Sequence, residues 1–492
     1  MPRPEPDLLY HSYFSISLKD NSNELSGVAD EDEFENILLG SNYSVGTIRT
    51  TNFNHSPDLV FDDTLGRITA NATGTYLFVY QLVFNSTATT KIALQVRKNG
   101  STEFFTAATQ GFAQIGECST TCHGLIDLVA GDYLEVGAGT DDTDEFIVHT
   151  GTNFTLLKAN GDYGNVKYTA NASAGTANTL EAIGDTQSAA GGGTVVTNLK
   201  NVSISNGLMT PTNTRPFLAF ATLIGEHNSS SGETELGIYA NGSAIDDTSV
   251  LIHKSTDPDA QSFALLKNLT GGQTASGRYK ASSGRTIATK NGSSFTIFDV
   301  SNNNGNSNPS AFISFSIDGS SNVLAGNDAI LFRNNIYSSY STVTHATATG
   351  ITYAPSAGTF AVTDSGKYFV LINLIIGNLA ANADFGLDIQ KNTTDIYLST
   401  IQLGSAFDPQ EKTLCLILDA AAGDSFRFIL TNDDSDNNVK IKSGTTISMF
   451  KVDDLKDLRT ESVPTDSLIA DDFTINSFSA AGLSPQYNRL ET

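Results

Sequence analysis

Residues 74–80, GTYLFVY, carry the strongest fold signal in the chain and return later as GKYFVLI, residues 366–372. Each copy opens on Gly-x-Tyr and continues with large apolar or aromatic side chains. Successive side chains of a β-strand point to opposite faces of its sheet, so a strand of this kind must bury both faces. The pattern predicts strands that are covered twice, either inside a β-sandwich or between subunits.

The residues around this stretch repeat with it. Residues 14–18 resemble residues 313–317 at a shift of 299, and Lys98-Asn99 matches Lys391-Asn392 at a shift of 293. Gly131-Asp132 matches Gly423-Asp424 at a shift of 292. Matches in the same order at a nearly constant shift indicate two homologous units, one early and one late in the chain.

A more divergent copy lies between these two units. Asn99-Gly100 returns as Asn241-Gly242, 142 residues later, whereas Arg215 stands where Gly74 would be. The repeats therefore predict the following division: a first unit at residues 1–160 with a short N-terminal arm, a divergent second unit at 161–302, a third unit at 303–455 after an Asn-rich linker, and a C-terminal tail at 456–492 that is a candidate anchor.

Within each unit the hydrophobic period is two. Ile92, Leu94 and Val96 alternate with other residues, and the run ends on Asn99-Gly100. Such alternation places one face of a strand on a core and the other in water. Asn-Gly predicts a tight hairpin, because both residues tolerate a positive φ. The chain is therefore predicted to be all-β, with three β-sandwiches in tandem.

Three features occur in the same order in the first and third units. They are a Gly-x-Tyr that opens an apolar strand, a second apolar strand that leads into Gly-Asp, and a last strand that follows a Gly-Thr turn, such as Gly151-Thr152. This order resembles the jelly-roll of the complement-subcomponent and tumour-necrosis-factor superfamily. The resemblance implies three tandem jelly-roll β-sandwiches arranged about a three-fold axis, as a homotrimer or a pseudo-trimer. It also implies binding without catalysis, and similar modules occur in surface proteins of phages and other viruses.

The composition excludes several classes of partner. The chain has 28 Lys and Arg against 53 Asp and Glu, which gives a formal net charge of −25. Nucleic acids and anionic membrane surfaces attract clustered Lys and Arg, so we expect neither as a main partner. No apolar run approaches the roughly 20 residues of a membrane-spanning helix, so we also expect no membrane insertion. The N-terminal residues show no secretory signal, and three Cys cannot form a disulfide scaffold. We therefore expect a protein made in the cytoplasm of a host cell.

Two clusters of aspartate are candidate metal sites. They lie 292 residues apart at equivalent positions of the first and third units: Asp141, Asp142 and Asp144, and Asp433, Asp434 and Asp436. Calcium takes about six to eight oxygen ligands, partly from carboxylates, so each cluster could contribute to a calcium site. The alternative is a solvated acidic loop, which the lack of a Gly inside either cluster favours.

A second polar group is formed by Cys118, Cys122 and His123. A zinc site would need a further ligand or a water, and no partner motif accompanies the three residues. Their simplest interpretation is core or loop residues, with a Cys118–Cys122 disulfide as an alternative. No motif of a serine hydrolase or a zinc protease occurs in the chain, so we expect no catalytic residues and no cofactor apart from the candidate calcium.

The leading functional hypothesis is a non-enzymatic structural protein on the surface of a virion, a phage capsid decoration, knob or fibre. Its partners would be other virion proteins and copies of itself. The alternative is a tail-fibre protein that binds a host receptor or surface glycan, and a second alternative is a bacterial cell-surface adhesin or lectin. Two assemblies remain open: one chain could fold its units into a pseudo-three-fold head, or three chains could stack as tiers along one axis.

Any calcium that the protein binds is predicted to involve the two aspartate clusters. Adding calcium to chelated protein should raise the thermal midpoint, because a ligand that binds only the folded state stabilises it by RT ln(1 + [L]/Kd). A double substitution, Asp142→Asn with Asp434→Asn, should abolish the rise. Magnesium is the control, since it demands a smaller octahedral site. A midpoint that calcium does not move contradicts the hypothesis.

Overall fold

β-strands account for nearly all regular structure in the residues that the computed structural model describes. These are residues 12–25, 34–86, 91–105, 109–110, 118–140, 145–171, 179–185, 195–228, 232–245, 249–253, 259–281, 285–301, 309, 311–318, 321–323, 329–333, 341–378, 383–403, 410–432 and 439–452. The helical segment among them is a single 3-10 turn at Gly40–Asn42. The described residues belong to one compact unit.

Sandwich 1 consists of two sheets. Its described strands are β1 (Tyr13–Leu18), β2 (Glu35–Asn36), β3 (Thr50–His55), β4 (Leu59–Asp62), β5 (Arg67–Ala70), β6 (Gly74–Ser86), β7 (Lys91–Lys98), β8 (Ser101–Phe105), β9 (Thr109–Gln110), β10 (Cys118–Leu128), β11 (Tyr133–Thr140), β12 (Phe146–Val148) and β13 (Asn153–Lys158). The inner sheet, which faces the other sandwiches, runs β10-β6-β13-β1-β3, and the outer sheet runs β4-β5-β11-β7-β8.

Sandwich 2 repeats this plan. Its described strands are β14 (Tyr163–Tyr168), β15 (Glu181–Ala182), β16 (Val195–Lys200), β17 (Val202–Ser205), β18 (Leu208–Pro211), β19 (Arg215–His227), β20 (Gly232–Ala240), β21 (Ser243–Ala244), β22 (Ser249–His253), β23 (Asp259–Leu269), β24 (Ala275–Ala281), β25 (Ile287–Thr289) and β26 (Ser294–Asp299). The inner sheet runs β23-β19-β26-β14-β16, and the outer sheet runs β17-β18-β24-β20-β21.

Sandwich 3 repeats it again. Its described strands are β27 (Phe312–Asp318), β28 (Ser321–Val323), β29 (Ala329–Ile330), β30 (Ser341–Thr349), β31 (Ile351–Ala354), β32 (Thr359–Val362), β33 (Gly366–Asn378), β34 (Ala383–Lys391), β35 (Thr394–Leu403), β36 (Gln410–Ala420), β37 (Ser425–Asn432), β38 (Val439–Ile441) and β39 (Thr446–Lys451). The inner sheet contains β36-β33-β39-β27-β30, and the outer sheet runs β31-β32-β37-β34-β35.

The chain alternates between the two sheets of each sandwich. In sandwich 1 it passes from outer β5 to inner β6, back to outer β7, and later from inner β10 to outer β11. The pairs that join these strands are antiparallel. Sandwiches 2 and 3 have the same order, so each unit is a jelly-roll. The predicted fold class, all-β with three tandem jelly-roll β-sandwiches, is confirmed.

Strand β6 contains residues 74–80 and is buried on both faces. Tyr76, Phe78 and Tyr80 point into the core of sandwich 1. Leu77 and Val79 point the opposite way, into a cluster that all three sandwiches share. All five side chains are at most 1% exposed. The prediction that this strand is covered on both faces is confirmed, and its second cover comes from the same chain.

The shared cluster, here called the axial core, is where the three inner sheets meet. Leu77 lies there with its equivalents Leu218 and Phe369 from the other two sandwiches. The remaining buried members are Tyr13, Val79, Leu157, Phe220, Ala264, Leu266, Phe298, Val300, Phe312, Leu371, Cys415, Ile417, Phe450 and Val452. Because the same strand positions recur, the described residues form a pseudo-three-fold head from one chain. The structure thus has the first of the two assemblies that the sequence left open.

In sandwich 1 the Asn99-Gly100 and Gly131-Asp132 motifs hold the outer hairpin against the turn beside it. Gly131 has a φ of 98°. The next residue, Asp132, accepts a hydrogen bond from the Val129 N–H at 2.8 Å and another from Asn99 Nδ2 at 2.7 Å. These bonds lower the pKa of Asp132, because they favour the charged carboxylate. Asn99 Oδ1 also accepts the N–H of Tyr133 at 3.0 Å.

Sandwich 3 repeats this arrangement with one unfavourable residue. Asn392 Nδ2 donates to Asp424 Oδ1. The two turn residues, Asn392 and Thr393, have φ values of 50° and 74°. The other sandwiches place Gly100 and Gly242 at the second turn position, each with a φ of 80°. A β-branched residue is strained at positive φ, so Thr393 carries strain that glycine avoids.

Replacing Thr393 by glycine is expected to stabilise the protein. Thr393→Gly should raise the free energy of unfolding by about 1 kcal/mol, because the relieved strain exceeds the entropy that glycine adds to the unfolded chain. The measurement is the urea midpoint of the full chain. Gly100→Thr, the reverse change in sandwich 1, should lower that midpoint. A lower midpoint for Thr393→Gly would show that the turn is not strained.

Candidate functional site at the junctions between sandwiches

The three junctions share one design, in which an edge strand of one sandwich lies across the inner sheet of the next. At junction 3–1, β36 lies on sandwich 1, and the Ile417 N–H donates to Ser15 Oγ at 3.1 Å. Thr155 Oγ1 donates to the Cys415 carbonyl at 3.1 Å. Asn54 Nδ2 donates to the Ile417 carbonyl at 2.7 Å. Side chains of one sandwich therefore satisfy the open backbone edge of its neighbour.

Junction 2–3 follows the same design. There β23 lies on sandwich 3, and the Leu266 N–H donates to Ser448 Oγ at 3.0 Å. Thr446 Oγ1 donates to the Ala264 carbonyl at 2.9 Å. These four residues are at most 1% exposed, so their hydrogen bonds replace water that the edge strand would otherwise need.

Junction 1–2, where β10 lies on sandwich 2, contains a buried histidine. His123 is fully buried, and its ring stacks on Phe220 with centroids 4.9 Å apart. His123 Nδ1 lies 2.7 Å from Thr222 Oγ1, and Nε2 lies 3.4 Å from Ser294 Oγ. Burial lowers the pKa of His123 to about 3, because the imidazolium would lose its hydration. The ring is therefore neutral, and no substrate can reach it.

Hydroxyl groups surround the axis beside this histidine. The equivalent residues Thr121, Ser262 and Thr413 come from the three edge strands. Ser262 Oγ donates to the Thr121 carbonyl at 3.2 Å, and Thr121 Oγ1 donates to the Thr413 carbonyl at 3.4 Å. Thr222 Oγ1 lies 2.8 Å from Ser262 Oγ. These four residues are at most 7% exposed, so their hydrogen bonds help to fix the register between the sandwiches.

The solvent-facing part of junction 1–2 is a cleft with a volume of about 480 Å³. Its lining residues are Phe78, Lys98, Glu103, Phe104, Gly124, Leu125, Ile126, Asp127, Asn165, Lys167, Thr169, Thr197 and Asn198. Residues up to 127 belong to sandwich 1 and the others to sandwich 2. Volumes of this size are typical of sites for small molecules.

Charged groups of opposite sign lie along this cleft. Asn198 Nδ2 is 3.2 Å from both carboxylate oxygens of Asp127, and Lys98 Nζ donates to the Asp127 carbonyl at 3.0 Å. Lys167 Nζ donates to the Glu103 carbonyl at 3.0 Å and lies 4.9 Å from the centroid of the Phe104 ring. Burial lowers the pKa of Lys167, since the cleft restricts its hydration.

The candidate residues named from the sequence have different outcomes. The six aspartates predicted to bind calcium, at 141, 142, 144, 433, 434 and 436, lie outside the described residues, so the calcium hypothesis stays a prediction. Within the described part of the chain, no group of three or more His, Cys, Asp and Glu could hold a metal ion. Nor does that part contain a helix long and apolar enough to span a membrane.

The Cys-His group is divided between two cores. Cys122 is a free, buried thiol in the core of sandwich 1, and burial raises its pKa well above the usual value. His123 is the next residue of the strand, so it points to the opposite face. The two side chains cannot share a metal ion. The free thiol also excludes the alternative of a Cys118–Cys122 disulfide.

No protein-family model matches the chain, and no curated protein matches it. Several solved structures match part of the chain. Murine APRIL at pH 5.0 is 16% identical over 30% of this chain and 98% of its own, with a TM-score of 0.22. Eiger TNF from S. frugiperda is 14% identical over 30% of this chain and 92% of its own, also with a TM-score of 0.22. The jelly-roll assignment itself rests on the strand order of this chain.

Burial of His123 is expected to make the protein less stable in acid. Its pKa is about 3 when folded and about 6.5 when unfolded, so the unfolded state binds more protons between these values. The stability contributed by neutral His123 is complete above pH 6.5 and decreases by roughly 1.4 kcal/mol per pH unit below it. His123→Gln should remove this dependence, whereas His55→Gln should retain it. Denaturant unfolding between pH 7 and 5 measures the difference, and equal slopes would contradict the assignment.

Proposed function

We propose that this protein is a non-enzymatic structural protein on the surface of a virus particle, a phage capsid decoration, knob or fibre. The axial core supports the proposal. It buries the inner sheets of all three sandwiches against one another within one chain, so a single copy provides a complete three-fold head. Such a head needs only an attachment segment to be displayed. The tail at 456–492, predicted as an anchor, lies outside the described residues.

The surface chemistry is compatible with display on a particle. The formal net charge of −25 would make neighbouring heads and particles repel one another, which limits aggregation. The histidine and the hydroxyls at the junctions are buried and hydrogen-bonded to one another, so they serve packing. We therefore propose that the protein acts by assembly and contact, without catalysing a reaction.

One observation favours the second candidate, a tail-fibre protein that binds a receptor or glycan. Junction 1–2 carries the cleft lined by Asp127, Asn165, Lys167 and Asn198, and polar side chains in a concave site are typical of ligand recognition. A decoration protein has no need for such a site. The structural role and the binding role are compatible, since one head can perform both.

The proposal predicts that the chain is a component of purified particles. Mass spectrometry of gradient-purified virions should detect it at a fixed ratio to the major capsid protein. Deleting its gene should yield particles that still assemble. Deleted particles that still infect would indicate decoration, and particles that fail to adsorb would indicate receptor binding. A chain found on bacterial cells and absent from particles would contradict the proposal and favour the adhesin.

A further inference from the structure

The three edge strands present equivalent backbone groups to their neighbours. Ile417 of β36 is paired with Phe369 of β33, and its N–H and C=O bond to Ser15 and Asn54 of sandwich 1. In β10 the equivalent residue is Leu125, which is paired with Leu77 of β6 in the same register. The N–H and C=O of Leu125 therefore point outward toward sandwich 2, as those of Ile417 point toward sandwich 1.

Sandwich 2 does not bond to these groups. Asn165 occupies the position of Ser15, but its Oδ1 accepts a hydrogen bond from Thr296 Oγ1 at 2.7 Å. Asn198 occupies the position of Asn54, but its amide is held by the carboxylate of Asp127. Within the described part of the chain, no side chain bonds to the N–H or C=O of Leu125. The edge strand is thus left open where the cleft lies.

We propose that this cleft binds an uncharged saccharide, with the Leu125 backbone as its central contact. A backbone N–H and C=O side by side offer one donor and one acceptor. Neighbouring hydroxyls of a sugar ring can accept from the first and donate to the second. Asn165 and Thr197 line the same space, so the Asn165 Nδ2 group can add a donor and the Thr197 hydroxyl can add a donor and an acceptor. The site does not depend on whether the protein is part of a virion.

The charge balance of the cleft selects against charged ligands. Lys98 and Lys167 supply two positive charges, and Glu103 and Asp127 supply two negative ones. Both signs lie close to any occupant. An anion would be attracted by the two lysines and repelled by the two carboxylates, and a cation would experience the reverse. A neutral, hydroxyl-rich ligand gains hydrogen bonds to both. Access is direct, because Thr197 at the rim is exposed.

The test uses the intact chain on an array that holds both neutral and acidic glycans, followed by calorimetric titration of the strongest neutral ligand. Thr197→Trp should fill the cleft and weaken binding at least about tenfold. Asn198→Ala should weaken it by a similar factor, because it removes the amide that holds the Asp127 carboxylate in the cleft wall. Thr352→Trp is the matched control: it places the same side chain at an exposed strand position of sandwich 3 and should bind as the unmodified protein does.

A further control separates binding from packing. Asn54→Ala changes the residue equivalent to Asn198 at junction 3–1, so it should lower the thermal midpoint and leave glycan affinity unchanged. Selective loss of affinity in the two cleft variants, with midpoints near that of the unmodified protein for Thr197→Trp, supports the proposal. Absence of binding to every neutral glycan, binding to acidic glycans alone, or unchanged affinity in Thr197→Trp would each overturn it. None of these results bears on whether virions contain the protein.

Discussion

The long inner strands β6, β19 and β33 are apolar on both faces, and this property forces the three sandwiches together. Tyr76 and Phe78 lie on one face of β6, and Leu77 and Val79 lie on the other. Both faces must be buried away from water. A single sandwich can cover only one of them. Burying the second face against two further sandwiches removes a large apolar area from solvent. Each Å² of apolar surface buried in this way stabilises the fold by about 25 cal/mol. Three units are thus needed to close the axial core.

Because the three units belong to one chain, equivalent positions near the axis can hold different residues. In a homotrimer, a residue near the axis meets its own copies, so donors and acceptors cannot be varied independently. Here the equivalent positions hold His123, Ala264 and Cys415. The side chain of His123 can bond to Thr222 of another sandwich, whereas the side chains of Ala264 and Cys415 belong to the axial core. The same freedom makes the three junctions different, which is why a cleft occurs at junction 1–2.

Sequence periodicity predicts the sandwiches, because strand faces alternate and the repeats multiply the signal. It also predicts that Leu77 and Val79 are covered, but it cannot tell whether the cover is another chain or the same one. The cleft is not predictable from any local pattern. It requires Asn198 to meet Asp127, 71 residues away, and it requires Leu125 to lack a partner. One sequence difference does mark the cleft: sandwich 2 has Asn165 at the strand position that holds Ser15 in sandwich 1 and Ser314 in sandwich 3.

Hydrogen bonds to the edge strands also hold the sandwiches together. An open strand edge can pair with any other exposed strand, so proteins cover or interrupt such edges. In this head the edges are covered by hydroxyl and amide side chains, such as Ser15 on Ile417 and Ser448 on Leu266. These side chains satisfy the backbone without adding a strand, which keeps the three sheets separate. Among the described residues, no side chain covers Leu125 in this way, and its position coincides with the cleft at junction 1–2.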